Sequence, residues 1–167
     1  MINIICIGKI KETYLKEGIN DYQKRISKYH KINIIELPDN DIINEGNEII
    51  KHLNRKDYII ALDINGNELS SVELADKLDK TFIINSNITF IICGSNGIRD
   101  DIKELANYRL SFSKLTYPHG LFRLILLEQI YRSFKILNNE TYHKWGKYGR
   151  FNICSRNCVY KRWKIIS

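Results

Sequence analysis

Short apolar runs alternate along this chain with longer stretches that repeat apolar side chains at helical spacing. Ile2–Ile7 is almost wholly apolar and stops at Gly8, the pattern of a strand buried on both faces. Residues 13–29 set Tyr14, Leu15, Ile19, Tyr22, Ile26 and Tyr29 on a helical period. Residues 31–37 alternate towards Pro38-Asp39, a strand and its stop, and residues 45–53 predict a helix. Tyr58–Ile64 predicts another apolar strand, closed by an Asn65-Gly66 turn. Ser70 and Ser71 ahead of Glu73 and Leu74 mark a helix start, running to about residue 82. Ile88–Cys93 predicts a strand ending in Gly94-Ser95-Asn96-Gly97. A short helix over Asp100–Ala106, a last strand over Tyr108–Phe112 and a last helix over His119–Leu137 follow. Such alternation means an α/β fold: a parallel-rich sheet flanked by helices, joined by right-handed crossovers.

The last helix is apolar on nearly every side. Leu124, Leu126, Leu127, Ile130, Tyr131, Phe134 and Leu137 share one wide face, and Leu121, Ile125 and Ile136 form a second stripe. On an ordinary surface this helix would expose apolar area worth ~25 cal/mol per Å². It needs the sheet on one face and a further body, such as a second subunit, on another. Arg123 projects into the wide face. A guanidinium buried there requires an anion, a carbonyl cluster or a carboxylate, unless it snorkels from the first turn to solvent. Arg132 lies on the second stripe, four residues after Glu128, the orientation of an intrahelical pair. His119 follows Pro118 at the helix start, where the dipole favours a neutral imidazole that caps the helix or positions a substrate.

Three strand ends carry candidate chemistry: Leu62-Asp63, Cys93 to Gly97, and Phe112 to Tyr117. Ligands in open α/β sheets sit beyond the carboxyl ends of the strands. Gly-Ser-Asn-Gly serves equally as a plain turn or as backbone that approaches a ligand closely. Its spacing is neither a dinucleotide fingerprint nor a phosphate loop. With no metal-ligand spacing either, a nucleotide-binding hydrolase is disfavoured.

Composition adds bounds. At 167 residues, 44% hydrophobic with two prolines, the chain predicts one globular domain. No apolar run reaches the ~20 residues of a membrane span, and the opening segment reads as strand, not signal peptide. Cys6 and Cys93 fall in strands while Cys154 and Cys158 show no framework spacing, so reduced thiols and a cytoplasmic location are expected. Residues 145–167 hold six Lys/Arg and no Asp or Glu, so only +1 of the net +7 belongs to residues 1–144. We therefore divide the chain into one domain over 1–144 and a basic aromatic tail over 145–167. Trp145, Tyr148, Phe151, Tyr160 and Trp163 interleave with the basic residues, a pattern that suits RNA. A disordered appendage or an altered reading frame accounts for the tail equally well.

Several separated blocks then carry a resemblance. They are Ile-Gly-Lys-Ile-Lys-Glu (7–12), Ile-Asn-Asp-Tyr-Gln-Lys-Arg (19–25), Tyr-Ile-Ile-Ala-Leu-Asp (58–63), Leu-Ser-Ser (69–71) and Cys-Gly-Ser-Asn-Gly (93–97). The most specific are Leu-Ser-Phe-Ser-Lys-Leu-Thr-Tyr-Pro-His (110–119), the segment 123–136 and Tyr-His-Lys (142–144). From Ile4 to Lys144 the chain resembles the ribosomal RNA large subunit methyltransferase H family, small SPOUT methyltransferases. The resemblance implies a C-terminal trefoil knot, a homodimer, and methylation of N3 of a pseudouridine in 23S rRNA with S-adenosylmethionine as donor. It implies that the donor contacts Leu62, Cys93, Gly94, Phe112, Ser113, Lys114, Leu115, Thr116 and Tyr117. It also implies that His143 or Tyr142, brought to the partner subunit's pocket, handles the substrate proton, with His119 and Arg132 as second candidates. The implied partners are 23S rRNA in the ribosome and a second copy, with no membrane and no DNA. Two features depart from the family: Cys93 stands where a glycine is usual, and the tail continues past Tyr-His-Lys. They leave open an alternative, a non-catalytic RNA- or ribosome-binding α/β protein with a disabled cofactor pocket.

Overall fold

The computed structural model of the chain describes residues 1–94 and 97–142. Five strands, β1 (Ile2–Ile7), β2 (Ile32–Leu37), β3 (Tyr58–Glu68), β4 (Ile88–Ile92) and β5 (Tyr108–Ser111), form one sheet in the order β2-β1-β4-β3-β5. Every neighbouring pair is parallel. The helices are α1 (Thr13–Ile26), α2 (Ile42–His52), α3 (Ser71–Ile84), α4 (Asp100–Leu105) and α5 (His119–Leu137).

The unbroken apolar strands have a simple cause: helices cover both faces. Ile2, Ile4 and Cys6 of β1 join the core beneath α1, α3 and α5, while Ile5 and Ile7 join the core beneath α2 and α4. The steps β1 to β2 and β3 to β4 run one way across the sheet, with α1 and α3 on one face. The steps β2 to β3 and β4 to β5 run the other way, with α2 and α4 opposite. One handedness of crossover requires that split. Helix α5 lies between α1 and α3 and buries Leu126, Leu127, Ile130 and Phe134.

Local chemistry sets the element ends. Ser70 accepts from the Glu73 N–H while Glu73 accepts from the Ser70 N–H, the capping box expected at that start. Helix α2 begins at Ile42, earlier than its periodicity suggested, because Asp41 accepts from the Ile43 and Asn44 N–H groups, each at 3.0 Å. Strand β3 is also corrected. It does not close at Asn65-Gly66 but resumes to Glu68, and its pairing with β5 jumps from Leu62 opposite Leu110 to Asn67 opposite Leu110. Residues 63–66 form a bulge, held where the Asp63 carboxylate accepts from the Asn65 N–H at 3.0 Å. Gly66 makes it possible, since a Cβ there would lie 2.7 Å from the Arg109 carbonyl oxygen.

Candidate functional site

A cleft of about 430 Å³ opens at the carboxyl ends of β3, β4 and β5. Its wall takes Leu62 and Asp63 from β3, Ile92, Cys93 and Gly94 from the end of β4, and Leu110 and Ser111 from β5. The loop after β5 closes it with Phe112, Ser113, Leu115, Thr116 and Tyr117, and α5 adds His119 and Phe122. The volume falls in the range of small-molecule sites. Of the nine residues implied for the donor, eight lie on this wall. Lys114 does not; it is exposed.

The loop is pre-shaped by short-range bonds. Ser111 Oγ donates to the Ser113 carbonyl (3.1 Å), Ser113 Oγ accepts from the Leu115 N–H (3.0 Å), and Ser113 Oγ and Tyr117 OH share a bond at 3.1 Å. Tyr117 stacks on Phe122 with ring centres 5.6 Å apart, and Phe112 meets Phe122 edge-on at 5.2 Å. On the β4 side, Gly97 has φ +81° and donates its N–H back to the Gly94 carbonyl at 3.2 Å. Only glycine enters that left-handed region at little cost.

The wall is apolar and faintly acidic. It includes Asp63, almost fully buried, and among the described residues no lysine or arginine. Arg109 reaches Asp63 only from the rim, at 3.4 Å. Cys93 packs towards the core under α2 and α4, and the cleft stays open beside it. Burial, reinforced by the nearby Glu45 and Asp63 carboxylates, pushes the Cys93 thiol up to about 12. The capping reading of His119 is corrected: Pro118 is the cap residue, no side chain caps the helix, and His119 is one of the residues lining the cleft.

Other candidates sit elsewhere. Arg123 is buried and donates to the Glu36 carboxylate and the Gly8 carbonyl, so it does not snorkel. Arg132 pairs with Glu128 at 2.5 Å, the intrahelical pair its spacing suggested, and is not on the cleft wall. Tyr142 folds back onto α5, its ring edge-on to Tyr131 at 5.0 Å and under the Arg132 guanidinium at 4.9 Å. Its hydroxyl donates to Glu128 at 3.3 Å, and it too is off the cleft wall. His143 and the tail 145–167 lie outside the described residues. Sequence reasoning passed over Ile98 and Phe122, whose places on the cleft depend on elements distant in the chain.

No cluster of His, Cys, Asp or Glu able to hold a metal ion exists among the described residues. A cleft with apolar and aromatic walls, buried acid and, among the described residues, no lysine or arginine suits a compact organic cation. Phosphorylated ligands find no counter-charge on it.

Residues 1–143 match the family described as "Predicted SPOUT methyltransferase", and the chain belongs to it. Within that class the chain falls with the proteins named ribosomal RNA large subunit methyltransferase H. One from Clostridium botulinum (strain 657 / Type Ba4) is 48% identical, the match covering 86% of this chain and 99% of that protein. One from Alkaliphilus oremlandii is 49% identical with the same coverage, and one from Caldicellulosiruptor saccharolyticus is 45% identical over all of its length. Among solved structures, the tRNA (m1G37) methyltransferase of Aquifex aeolicus aligns over 89% of this chain and 76% of its own, at 14% identity and a TM-score of 0.49.

Proposed function

We propose that this chain transfers a methyl group from S-adenosylmethionine to N3 of a pseudouridine in 23S rRNA, working as a homodimer on the ribosome. The cleft at the ends of β3, β4 and β5 carries the reading. Its residues fit the donor: aromatic and aliphatic walls for the adenosine, backbone N–H groups in the 112–117 loop for its polar edges, and buried acid for its positive charge.

S-adenosylmethionine supplies a methyl group already activated for transfer. The protein's task is therefore alignment, holding acceptor nitrogen and methyl carbon about 3–3.5 Å apart. The pre-shaped loop around Ser113 performs it. The imide N3–H must also lose its proton, while charge grows on the flanking carbonyl oxygens. His119 stands on the cleft within its own protomer. We assign that proton to His143 or Tyr142 supplied by the partner subunit, and Tyr142 is anchored on α5 beside Arg132 and Glu128. The exposed Leu121 and Val72, with Ile125 beside them on α5, supply apolar surface for the dimer contact. In this reading the segment joining β5 to α5 is threaded as a trefoil knot, and the basic aromatic tail touches RNA phosphates.

No helix among the described residues is long and apolar enough to cross a membrane. The proposed place of work is the cytoplasm, where ribosomes are and where Cys6 and Cys93 stay reduced. The test is transfer of labelled methyl from S-adenosylmethionine to ribosomes lacking the modification. Label at a pseudouridine N3 of 23S rRNA is expected. Label elsewhere, or none, rejects the reading. Sedimentation of the free protein as a monomer at micromolar concentration rejects the dimer.

A further inference from the structure

A second opening, of about 550 Å³, lies between α1 and the edge strand β2, and it shares no residue with the donor cleft. Lys16, Asn20 and Gln23 stand four and three residues apart on α1, so one face of the helix presents all three to it. Ile34 and Glu36, two apart on β2, line it from one face of the strand. Ile10 and Ile19 complete the apolar wall, and the buried Arg123 is its floor.

Arg123 is already committed, through Nη1 to Oε1 of Glu36 and through Nη2 to the Gly8 carbonyl. It acts on the groove through Glu36, whose carboxylate it holds in place while that side chain stays 36% exposed. The other oxygen, Oε2, makes no hydrogen bond among the described residues, and neither do the side chains of Lys16, Asn20 and Gln23. All four residues are exposed or half-buried on the groove, so a ligand there meets them directly.

This set mixes signs and selects its ligand. An anion is repelled by Glu36 and finds the Nη donors of Arg123 spent, while a bare cation meets Lys16 and Arg123. A neutral ring with N–H donors on one edge, acceptors on another and apolar faces for the isoleucines suits it. Among the nucleobases only guanine offers a carboxylate two adjacent N–H donors, at N1 and N2, together with the acceptors O6 and N7.

We infer that the groove binds an unpaired guanine of the RNA substrate. Glu36 accepts from N1–H and N2–H, and Lys16 with the amides of Asn20 and Gln23 donates to O6 and N7. His119 on the donor cleft and Arg123 on the groove are four residues apart on α5, about 6 Å of rise, so one strand spans both. The inference takes from the reading above only that the ligand is RNA.

Titration of the ¹⁵N-labelled full chain with the four nucleosides, followed by amide chemical shifts, tests this. Guanosine is expected to shift the amides of residues 16–23 and of Glu36 saturably. It should bind about 10-fold or more tightly than adenosine, cytidine or uridine, the worth of one or two hydrogen bonds. Glu36→Gln, which keeps one acceptor for Arg123 but turns a donor to the base, should weaken guanosine by about 10-fold. The double variant Asn20→Ala/Gln23→Ala should do the same with a urea midpoint close to wild type, so that its loss reports binding and not folding. No shift at these residues, equal binding of the four nucleosides, or shifts confined to the donor cleft overturns the inference. A folded double variant that binds guanosine as wild type does also overturns it. Guanosine bound here without methyl transfer to ribosomes leaves this inference standing and removes the other reading, and transfer without guanosine bound here does the reverse.

Discussion

Arg123 on α5 donates to the carboxylate of Glu36 on β2, and through Nη2 to the Gly8 carbonyl at 2.9 Å. One side chain thus ties the first turn of α5 to the ends of β1 and β2. Gly8 takes φ +82°, and its own N–H donates to the Leu37 carbonyl at 2.9 Å, which fixes the carbonyl that Arg123 reads. The two partners are unequal, since the Arg123 side chain is 2% exposed and that of Glu36 is 36% exposed. Removing Glu36 strands a buried cation, whereas removing Arg123 leaves a carboxylate that water can reach. Glu36→Leu should therefore lower unfolding stability by about 2–3 kcal/mol, the usual buried-pair loss discounted for the exposed partner. Arg123→Met should cost less, about 1 kcal/mol. Urea denaturation midpoints check the order, and equal losses would contradict it.

The bulge in β3 makes a second contrast. At Gly66 an added methyl meets backbone atoms: the Arg109 carbonyl carbon and oxygen at 2.7 Å and the Asp63 oxygen at 2.9 Å. Neither strand can withdraw without breaking the register that brings Asp63 to the cleft. Gly66→Ala should destabilise by about 2–4 kcal/mol and weaken donor binding as well. At Gly18 on α1 the methyl meets only the Leu124 side-chain carbons, at 3.1 and 3.2 Å, which can shift. Helix propensity favours alanine there by about 1 kcal/mol, so Gly18→Ala should sit within about 1 kcal/mol of wild type. Thermal melts of the two variants decide it.

These two cases also show what was legible in the chain beforehand. The double-sided strands were readable from Ile2–Ile7 because burial on both faces leaves no polar alternation. The bounds of α5 were readable because Pro118 starts it and its apolar positions run to Leu137. The chemical need of Arg123 was readable, but not its partner, since Glu36 is 87 residues away and only the fold brings it near. Asn65-Gly66 signals a reversal whether the strand ends there or bulges, so the continuation to Glu68 was hidden. The strand-end residues of the cleft were readable from topology alone. The burial of Glu45 was not, because a polar residue in an amphipathic helix looks solvated until Gly94, on another element, is seen against it.

His30 supplies a pH dependence. Its ring stacks on Phe82 at 4.2 Å and on Phe134 at 5.2 Å, below the end of α1. Burial, with a smaller contribution from the N-terminal ammonium, holds its pKa below the ordinary value. The folded state therefore resists a proton that the unfolded chain accepts near the usual histidine pKa of about 6.5. The stabilising difference is complete above that value. It is lost as the pH falls from about 6.5 towards the lowered folded value. His30→Phe keeps a flat ring in the stack and removes the titration, so its stability should be flatter between about pH 7 and 5. Denaturant midpoints across that range would reveal parallel curves for the two proteins if His30 were not responsible.

Cys93 poses a chemical problem that the fold has to solve. A thiolate beside a sulfonium methyl would itself be methylated, because the thiolate is the nucleophile and the thiol is not. Burial, with Glu45 and Asp63 adding negative charge, raises this thiol to about 12, so at neutral pH it stays protonated on the cleft wall. The direction of the shift is protective: a raised thiol pKa removes thiolate at every pH below it. An unperturbed cysteine near 8.5 holds roughly a thousandfold more thiolate at pH 7. Two outcomes follow for the native protein. Prolonged incubation with S-adenosylmethionine should leave the peptide containing Cys93 at its unmodified mass, and iodoacetamide should label that peptide far more slowly than an unfolded control. Replacing the buried acid should not expose the thiol, because burial is the larger cause, so Glu45→Gln should still resist alkylation. Rapid labelling of native Cys93 at neutral pH would mean that the thiol is not held protonated against the core, and the wall of the cleft would have to be redrawn around it.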